Sequence, residues 1–387
     1  MENCKDIVWI STQDWDDVWT RKQRFALYLS EKGYRILYVE AQLHWAGFML
    51  NKELRKFKRI FKFTNSPKEI KKNIFVATPP LVFPGQTMSK IINRINKLFM
   101  IYQINKLLKK LNIKNYYLWV YPPDSIDLID RLKYEKLIFD CVDDWSRFSG
   151  LVSKQTMEKY MNDLFRRADL VVVTHEELRR KANMCTDRVA LIPNGVEANH
   201  FDLSKINDGD IPEEMKRIIG PKIGFIGSVA KWIDYDLLHY IAINRPDWSI
   251  IMIGPILNRV KIDKIRQQKN IYLLGRKAYN DLPKYIKAFD VCINPFVVDE
   301  LSDSVDPLKM YEYLATGKPI VSVKMPAVNR FKGLIDVAKD KKEFVKCIEK
   351  KILNSSQENL QAKRIQIANE HSWQKRYEQL YDAIQQL

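Results

Sequence analysis

A lysine and a glutamate three residues apart, Lys309 and Glu312, sit in residues 299–319, DELSDSVDPLKMYEYLATGKP. The stretch reads as an acidic, hydroxyl-rich loop, then a short helix, then a stop. Asp306 is expected as the N-cap, and Pro307 at the first helical position, where a missing N–H costs nothing. Their spacing puts Lys309 and Glu312 on one helix face near its positive end. Gly317 is expected to end the helix, and Pro319 to lead into a buried strand over 320–323. A helix N-terminus beside a lysine suits a diphosphate, and a glutamate one turn further suits sugar hydroxyls. A well-capped amphipathic helix with surface charges fits the same residues.

Other candidates lie where apolar runs stop. Residues 136–145, KLIFDCVDDW, form a buried strand ending in carboxylates. Ligands collect beyond the carboxyl ends of strands in open α/β sheets. Asp140, Asp143 or Asp144 can there accept a proton from an attacking hydroxyl or bind an acceptor, Asp143 foremost. The alternative is that Asp144 caps the next helix and Asp140 bonds backbone N–H groups. Residues 223–238 read as a strand, a tight Gly227–Ser228 turn, a loop holding Lys231, and a helix. N–H groups of such a turn can meet phosphate oxygens, although the dinucleotide pattern GxGxxG is absent. Gly254 and Gly275 end two further strands at the same edge, and the backbone of Gly275, Arg276 and Lys277 can frame a nucleobase. Asn194 and Gly195, in IPNGVE, make a turn whose role is geometric. His44, His175, His200, His239 and His371 show no metal-ligand spacing, and neither a GxSxG elbow nor a P-loop is present.

The elements that must position these residues follow from alternation. Apolar runs at 7–11, 35–39, 74–78, 116–121, 137–141, 170–174 and 189–192 read as one series of strands. Those at 223–226, 249–253, 271–274, 291–294 and 320–323 read as a second. Amphipathic segments at 24–32, 159–168, 237–244 and 282–288 separate them. Continuous apolar strands alternating with helices imply parallel sheets covered on both faces. A chain of 387 residues is too long for one core. The expected organisation is α/β: a first Rossmann-like domain over 1–203, a polar linker over 204–221 and a second over 222–369. A C-terminal helix over 370–387 either packs back on the first domain or finishes the second.

Composition narrows the partners. Lys+Arg 64 against Asp+Glu 47 gives +17, which favours anionic lipid, nucleic acid or a phosphorylated substrate. Zinc-ligand spacing and RNP1-like motifs are absent, so nucleic acid is not expected. The five cysteines are scattered, and Cys141 and Cys292 read as reduced core thiols, which points to a cytosolic setting. The first residues, MENCKDIVWIST, carry no secretion signal, and no run of about 18 apolar residues spans a membrane. Two basic segments stand out. Residues 52–73 interleave lysine and arginine with Leu54, Phe57, Ile60, Phe61 and Phe63. Residues 88–115 set Ile91, Ile95, Leu98, Tyr102, Leu107 and Leu111 near one stripe, with Lys90, Arg94, Lys97, Lys106, Lys109 and Lys110 outside it. Such helices can lie in an anionic membrane interface; for 88–115, an apolar face on the core is the expectation.

The chain resembles bacterial glycosyltransferases of GT-B architecture close to family 4, with teichuronic-acid and exopolysaccharide transferases nearest. The resemblance rests on IFDCVDDW, IPNGVE, GFIGSVAKWIDYDLL, LLGRKAYNDLPKYIKAFDVCINPF and DPLKMYEYLATGKPIV. It implies two Rossmann-like domains facing a central cleft and a nucleotide sugar, UDP-linked, on the second. Lys309 would meet the diphosphate, Glu312 the ribose, Gly275–Lys277 the base, and Gly227, Ser228 and Gly254 the phosphate side. Asp140 and Asp143 would sit near a glycan or lipid-linked acceptor. The family's two glutamates separated by seven residues are here Ser304 and Glu312. Its glycine-rich first loop is replaced by STQDWDDVWTRKQ, where Arg21, Lys22 and Arg24 face either an acceptor phosphate or water. The resemblance further implies no cofactor beyond the sugar nucleotide, no obligatory metal, and a peripheral place on the cytoplasmic face of an anionic membrane. A nucleotide-sugar epimerase on the same fold and a non-catalytic basic module are the competing readings.

Overall fold

The computed structural model describes residues 5–42, 67–79, 90–147, 153–257, 260, 262–299, 302, 305–353 and 358–387. The chain divides into two compact units: Met1–Pro193 with Tyr377–Leu387, and Asn194–Arg376.

In the first unit, strands β1 (Asp6–Ile10), β2 (Arg35–Val39), β3 (Lys68–Lys71), β4 (Ile74–Ala77), β5 (Tyr117–Val120), β6 (Lys136–Cys141), β7 (Leu170–Val173) and β8 (Val189–Leu191) form one sheet. Their spatial order is β3-β4-β2-β1-β5-β6-β7-β8. All pairs are parallel except β3 with β4. The apolar runs are buried through both faces because helices α1 (Arg21–Glu31), α2 (Lys90–Lys110), α3 (Lys154–Arg167) and α4 (Glu176–Asn183) alternate with the strands. At the centre Trp9 stacks on Trp119 with centroids 4.2 Å apart, an arrangement that adds about 1 kcal/mol beyond burial. The C-terminal residues join this unit: Tyr377 stacks on Tyr28 at 4.4 Å, and Leu380 and Ile384 are buried.

In the second unit, β9 (Lys222–Ile226), β10 (Ser249–Ile253), β11 (Ile271–Gly275), β12 (Val291–Asn294), β13 (Ile320–Val323) and β14 (Asp336–Ala338) are all parallel, in the order β11-β10-β9-β12-β13-β14. Helices α5 (Tyr235–Asn244), α6 (Leu308–Thr316), α7 (Lys341–Leu353) and α8 (Glu358–Glu370) connect or flank them. The side chain of Asp234 caps α5 by accepting from Leu237 N–H at 2.7 Å. Gly317, at φ 70°, ends α6 in the left-handed conformation. Residues 204–221 lie within this unit, with Met215 and Ile218 in its core. The last helix, α9 (Trp373–Gln385), begins in this unit and ends in the first.

Both sheets reverse direction at a defined place. The chain builds outward from β1 through β2 and then returns to the other side of β1 with β5. It builds outward from β9 through β10 and β11 and returns beside β9 with β12. Such switch points open a crevice at the carboxyl ends of the strands. Each unit therefore offers one natural ligand edge: the loops after β1, β5 and β6, and the loops after β9, β10 and β12.

The strands read from the sequence all form, with ends shifted by a residue or two. Two were not read. β3 is the charged KEIK, and β14 is a three-residue edge strand. The basic segment at 52–73 lies largely outside the described residues. The one at 88–115 corrects an expectation: Ile95, Leu98 and Tyr102 do not face the core. They are exposed together with Phe99, at 40%, 44%, 70% and 53% respectively. The core face is instead Met100, Ile101, Ile104, Leu107 and Leu108, while Lys97 is buried and pairs with Asp124 at 2.7 Å.

Gly254 sets the tightest backbone approach in the second unit. Its φ is 150°, and a Cβ there would fall 2.0 Å from the Gly227 carbonyl oxygen. A Cβ on Gly275 would meet nothing within 4 Å, at φ 69°. Gly254→Ala is therefore expected to cost about 2–3 kcal/mol of stability and Gly275→Ala only about 1 kcal/mol, measured by urea unfolding.

Candidate functional site

At the carboxyl edge of the second sheet, three strand ends lie side by side. Gly227 N–H donates to the Ile253 carbonyl and Gly254 N–H to the Gly275 carbonyl, both at 2.9 Å. The missing side chain at Gly254 lets the Gly227–Ser228 turn close onto it. Lys309, in the first turn of α6, reaches this turn: a Cβ at Gly227 would stand 3.1 Å from its Cε and 3.5 Å from its Nζ. The ammonium lies 4.3 Å from the ring centre of Phe296 and 5.1 Å from that of Phe225. Aromatic faces hold a cation there without neutralising it. Burial pulls the Lys309 pKa down to about 8, against the opposing charge of Glu312. Among the described residues no carboxylate forms an ion pair with this ammonium.

The first turn of α6 holds no acidic side chain, and Glu312 is half-buried one turn on. The start of the helix differs from expectation. Pro307 is the N-cap, and Asp306 caps nothing. The Asp306 carboxylate is buried and accepts from Asn194 N–H at 2.9 Å and from Tyr311 O–H at 2.9 and 3.0 Å; Arg330 lies 3.5 Å away. Asn194 returns a second bond, from Nδ2 to the Asp306 carbonyl at 2.9 Å. The IPNGVE turn thus holds the entry to α6, a link between distant segments that residue spacing does not reveal. His371, near Tyr311, is half-buried against Arg376, and desolvation with the charges of Arg376 and Arg330 lowers its pKa to about 4.

The remaining donor-side candidates divide. Ser228 is half-buried and Arg276 exposed. The Lys277 ammonium is committed to Glu214 at 2.6 Å, which leaves its backbone as the part able to frame a base. Ser304 lies outside the described residues.

In the first unit the three carboxylates of KLIFDCVDDW separate by environment. Asp140 is fully buried and pairs with Arg21 at 3.3 Å; Arg21 is 2% exposed and also donates to the Ile192 carbonyl at 2.8 Å. Burial raises the Asp140 pKa, and Arg21, Tyr121 and Lys22 counter it. Two residues expected to meet substrate, Asp140 as a base and Arg21 on the acceptor side, are thus each other's partner in a buried ion pair. Asp144 is likewise taken. It accepts from Ser146 N–H and Oγ, and Lys181 and Arg147 lie at 3.1 and 3.2 Å. Burial opposes its ionisation, but Ser146 and Lys181 outweigh this and lower its pKa. Arg24 is 5% exposed and so is no surface anion contact.

Asp143 is half-buried. Its charge, with that of Asp140, holds up the pKa of buried Lys22, which desolvation lowers to about 8. Lys22 Nζ donates to Gln13 Oε1 at 3.3 Å and lies 5.2 Å from the Tyr121 ring centre. Gln13 and Tyr121 were not singled out from the sequence. Their position just after β1 and β5, at the switch point, is the signal that finds them. Among the described residues no group of three His, Cys, Asp or Glu side chains could hold a metal ion.

Comparison with known proteins fits this arrangement. Residues 220–354 match the family described as glycosyl transferases group 1. A Bacillus subtilis (strain 168) protein, TuaH, assigned to teichuronic acid biosynthesis as a glycosyltransferase, is 25% identical over 288 residues, covering 69% of this chain and 72% of its own. Among solved structures, sucrose-phosphate synthase from Thermosynechococcus elongatus superposes with a TM-score of 0.73 at 11% identity, covering 99% and 98% of the two chains. Anabaena HepE in complex with UDP gives 0.68 at 14% identity over 99% and 100%. An Escherichia coli trehalose-6-phosphate structure bound with UDP-2-fluoro glucose gives 0.70 at 15% over 99% of each. The shared fold is the two-domain α/β GT-B architecture.

The environments of Asp140 and Asp143 generate a test. Asp140→Asn removes the countercharge of a buried guanidinium and is expected to lower stability by about 3 kcal/mol. Asp143→Asn leaves that pair intact and should cost less, about 1 kcal/mol. Thermal unfolding of both variants measures the contrast.

Proposed function

We propose that this chain, whose residues 220–354 match the group 1 glycosyl transferases, is a glycosyltransferase that moves a sugar from a UDP-linked donor to a lipid-linked precursor of a cell-surface polysaccharide. The observation that carries the donor side is the Lys309 ammonium, held over the Gly227 turn by Phe225 and Phe296 without a paired carboxylate among the described residues. A diphosphate placed there gains a full positive charge and the N–H groups opening α6. Glu312 takes the ribose hydroxyls, the backbone of Gly275–Lys277 takes the base, and Ser228 and Gly254 shape the phosphate turn. The UDP complexes of HepE support this choice of nucleotide.

The reaction then runs on charge. The acceptor oxygen bonds the anomeric carbon, the bond from that carbon to the diphosphate oxygen breaks, and the acceptor proton passes to the Asp143 carboxylate. Lys309 stabilises the negative charge gathering on the departing diphosphate, where stabilisation counts most. Lys22 provides a second cation, in the first unit, for a phosphate carried by the acceptor. Removing the ammonium in Lys309→Ala is expected to lower turnover at least tenfold, or about 1.4 kcal/mol. The sign of its pKa shift adds a pH dependence. The protonated form binds the diphosphate, so UDP affinity should weaken as pH rises through about 8, and Lys309→Arg should move that limb upward. Titration calorimetry across pH and a turnover assay check both, and near-normal activity of Lys309→Ala would remove the assignment.

The acceptor's location is supported by α2. Ile95, Leu98, Phe99 and Tyr102 recur at helical spacing and are exposed beside exposed Arg94, Lys106, Lys109 and Lys110. An apolar stripe flanked by cations suits the interface of an anionic bilayer, such as the cytoplasmic leaflet. No described helix is long and apolar enough to cross a membrane. The relation to TuaH supports an envelope polysaccharide as the product. Flotation with vesicles containing anionic lipid should recover the chain, and a Leu98→Ser, Phe99→Ser double variant should float several-fold less. Equal recovery with neutral vesicles would set the membrane reading aside.

A further inference from the structure

The second unit has a cavity of about 360 Å³ at the edge of its sheet opposite the Lys309 site, where Asp290 precedes β12 and Pro319 precedes β13. It also lies at the far end of α6, against Thr316 and Gly317. Four cations line it: Lys287, Lys318, Lys351 and Arg364. Two have their charge engaged or partly so. Lys351 pairs with Asp336 at 2.6 Å, and Lys287 lies 3.8 Å from exposed Asp208.

The other two do not. Arg364 is 2% exposed; its Nε donates to the Leu334 carbonyl at 2.8 Å and its Nη1 to the Gly317 carbonyl at 3.1 Å, while the buried Nη2 has no hydrogen-bond partner among the described residues. Lys318 donates to the Lys287 carbonyl at 2.8 Å, and among the described residues it forms no ion pair. Among the described residues the lining holds one carboxylate, Asp290, which accepts from Lys222 N–H at 2.7 Å and whose charge partly offsets the desolvation of Lys318. Burial lowers the pKa of Lys318, Lys351 and Arg364 alike, and the charge of Arg364 lowers Lys351 further. Desolvated cations gathered in one cavity with too few carboxylates are stabilised by an anion that enters it.

We propose that this cavity binds a phosphate-bearing small molecule of sugar-phosphate size, with the Lys318 ammonium as its phosphate contact and the buried Arg364 guanidinium as the charge behind it. A point charge backed by a second cation suits a tetrahedral anion. Gln361 and Ser204 in the lining supply donors and acceptors for hydroxyls, and the lining has no aromatic face on which a nucleobase could stack. The volume exceeds what a bare phosphate needs and falls in the range of small-molecule sites. This assignment stands apart from the donor reading, because it uses neither Lys309 nor the carboxyl edge.

Titration calorimetry of the full chain with glucose 6-phosphate, inorganic phosphate and glucose tests it at constant ionic strength. Glucose 6-phosphate should bind, inorganic phosphate should bind more weakly, and glucose should not. Lys318→Gln and Arg364→Gln should each weaken glucose 6-phosphate about tenfold, while Lys309→Ala binds it as the parent does. Should Arg364→Gln fail to fold, Lys318→Gln carries the result. Absence of binding at about 10 mM of either phosphate overturns the proposal. So does a loss confined to Lys309→Ala, which would place the anion at the carboxyl edge. Equal affinity for inorganic phosphate overturns the sugar-phosphate size.

Discussion

A buried lysine ammonium kept beside a backbone turn, with no carboxylate in an ion pair with it among the described residues, is the constraint on which the second unit is organised. A charge in that state costs free energy unless its surroundings are polarisable or a ligand completes it. Phe225 and Phe296 provide the first and leave room for the second. The position of the charge depends in turn on how α6 begins, and that depends on Asp306. Its buried carboxylate gathers Asn194, Tyr311 and Arg330, so the polypeptide entering α6 is tied to the start of the unit and to the body of the helix at once. Gly254 completes the arrangement from the other side, since any side chain there would push the Gly227 carbonyl away.

The first unit solves a similar problem in the opposite way. Arg21 and Asp140 are both withdrawn from water and offset each other's charge as an ion pair at 3.3 Å, which fixes the loop after β1. Their pairing brings the start of α1 against the end of β6. Lys22, the next residue, is left over the Tyr121 ring with Asp143 as its larger charge influence. One adjacent pair of basic residues thus divides into a paired structural cation and a second one whose pKa falls to about 8.

Much of the architecture was legible because parallel strands buried on both faces must be continuous apolar runs. The runs at 35–39, 249–253, 291–294 and 320–323 coincide with β2, β10, β12 and β13. β3 escaped because an edge strand needs no apolar face, and its KEIK carries no period-two signal. The site was legible as a set of strand ends, and less so as a set of roles. Lys309 and the glycines stand where their residue types suggested. Asp306 was misread because a carboxylate before a proline looks like an N-cap, and only tertiary contact shows that Asn194 and Tyr311 claim it. Asp140 and Arg21 were misread for the same reason: nothing in sequence spacing reveals a partner on a distant element. The stripe on α2 was assigned to the core because helical periodicity identifies an apolar face without saying what it meets. Two apolar faces run along that helix, and one of them is exposed.

The charged edge strand β3 has a further consequence. A sheet ending at β4, with Ile74, Phe75 and Val76, would offer open ladder groups to any second chain that met it. The hairpin instead turns at Asn73, φ 67°, and covers that edge with an antiparallel strand bearing Lys68, Glu69 and Lys71. Charged side chains on an outermost strand disfavour edge-to-edge addition of copies. At this end of the sheet, crowded molecules are kept from templating one another into fibrils, so self-association in concentrated solution should proceed through the greasy helix surface instead and respond to mild detergent.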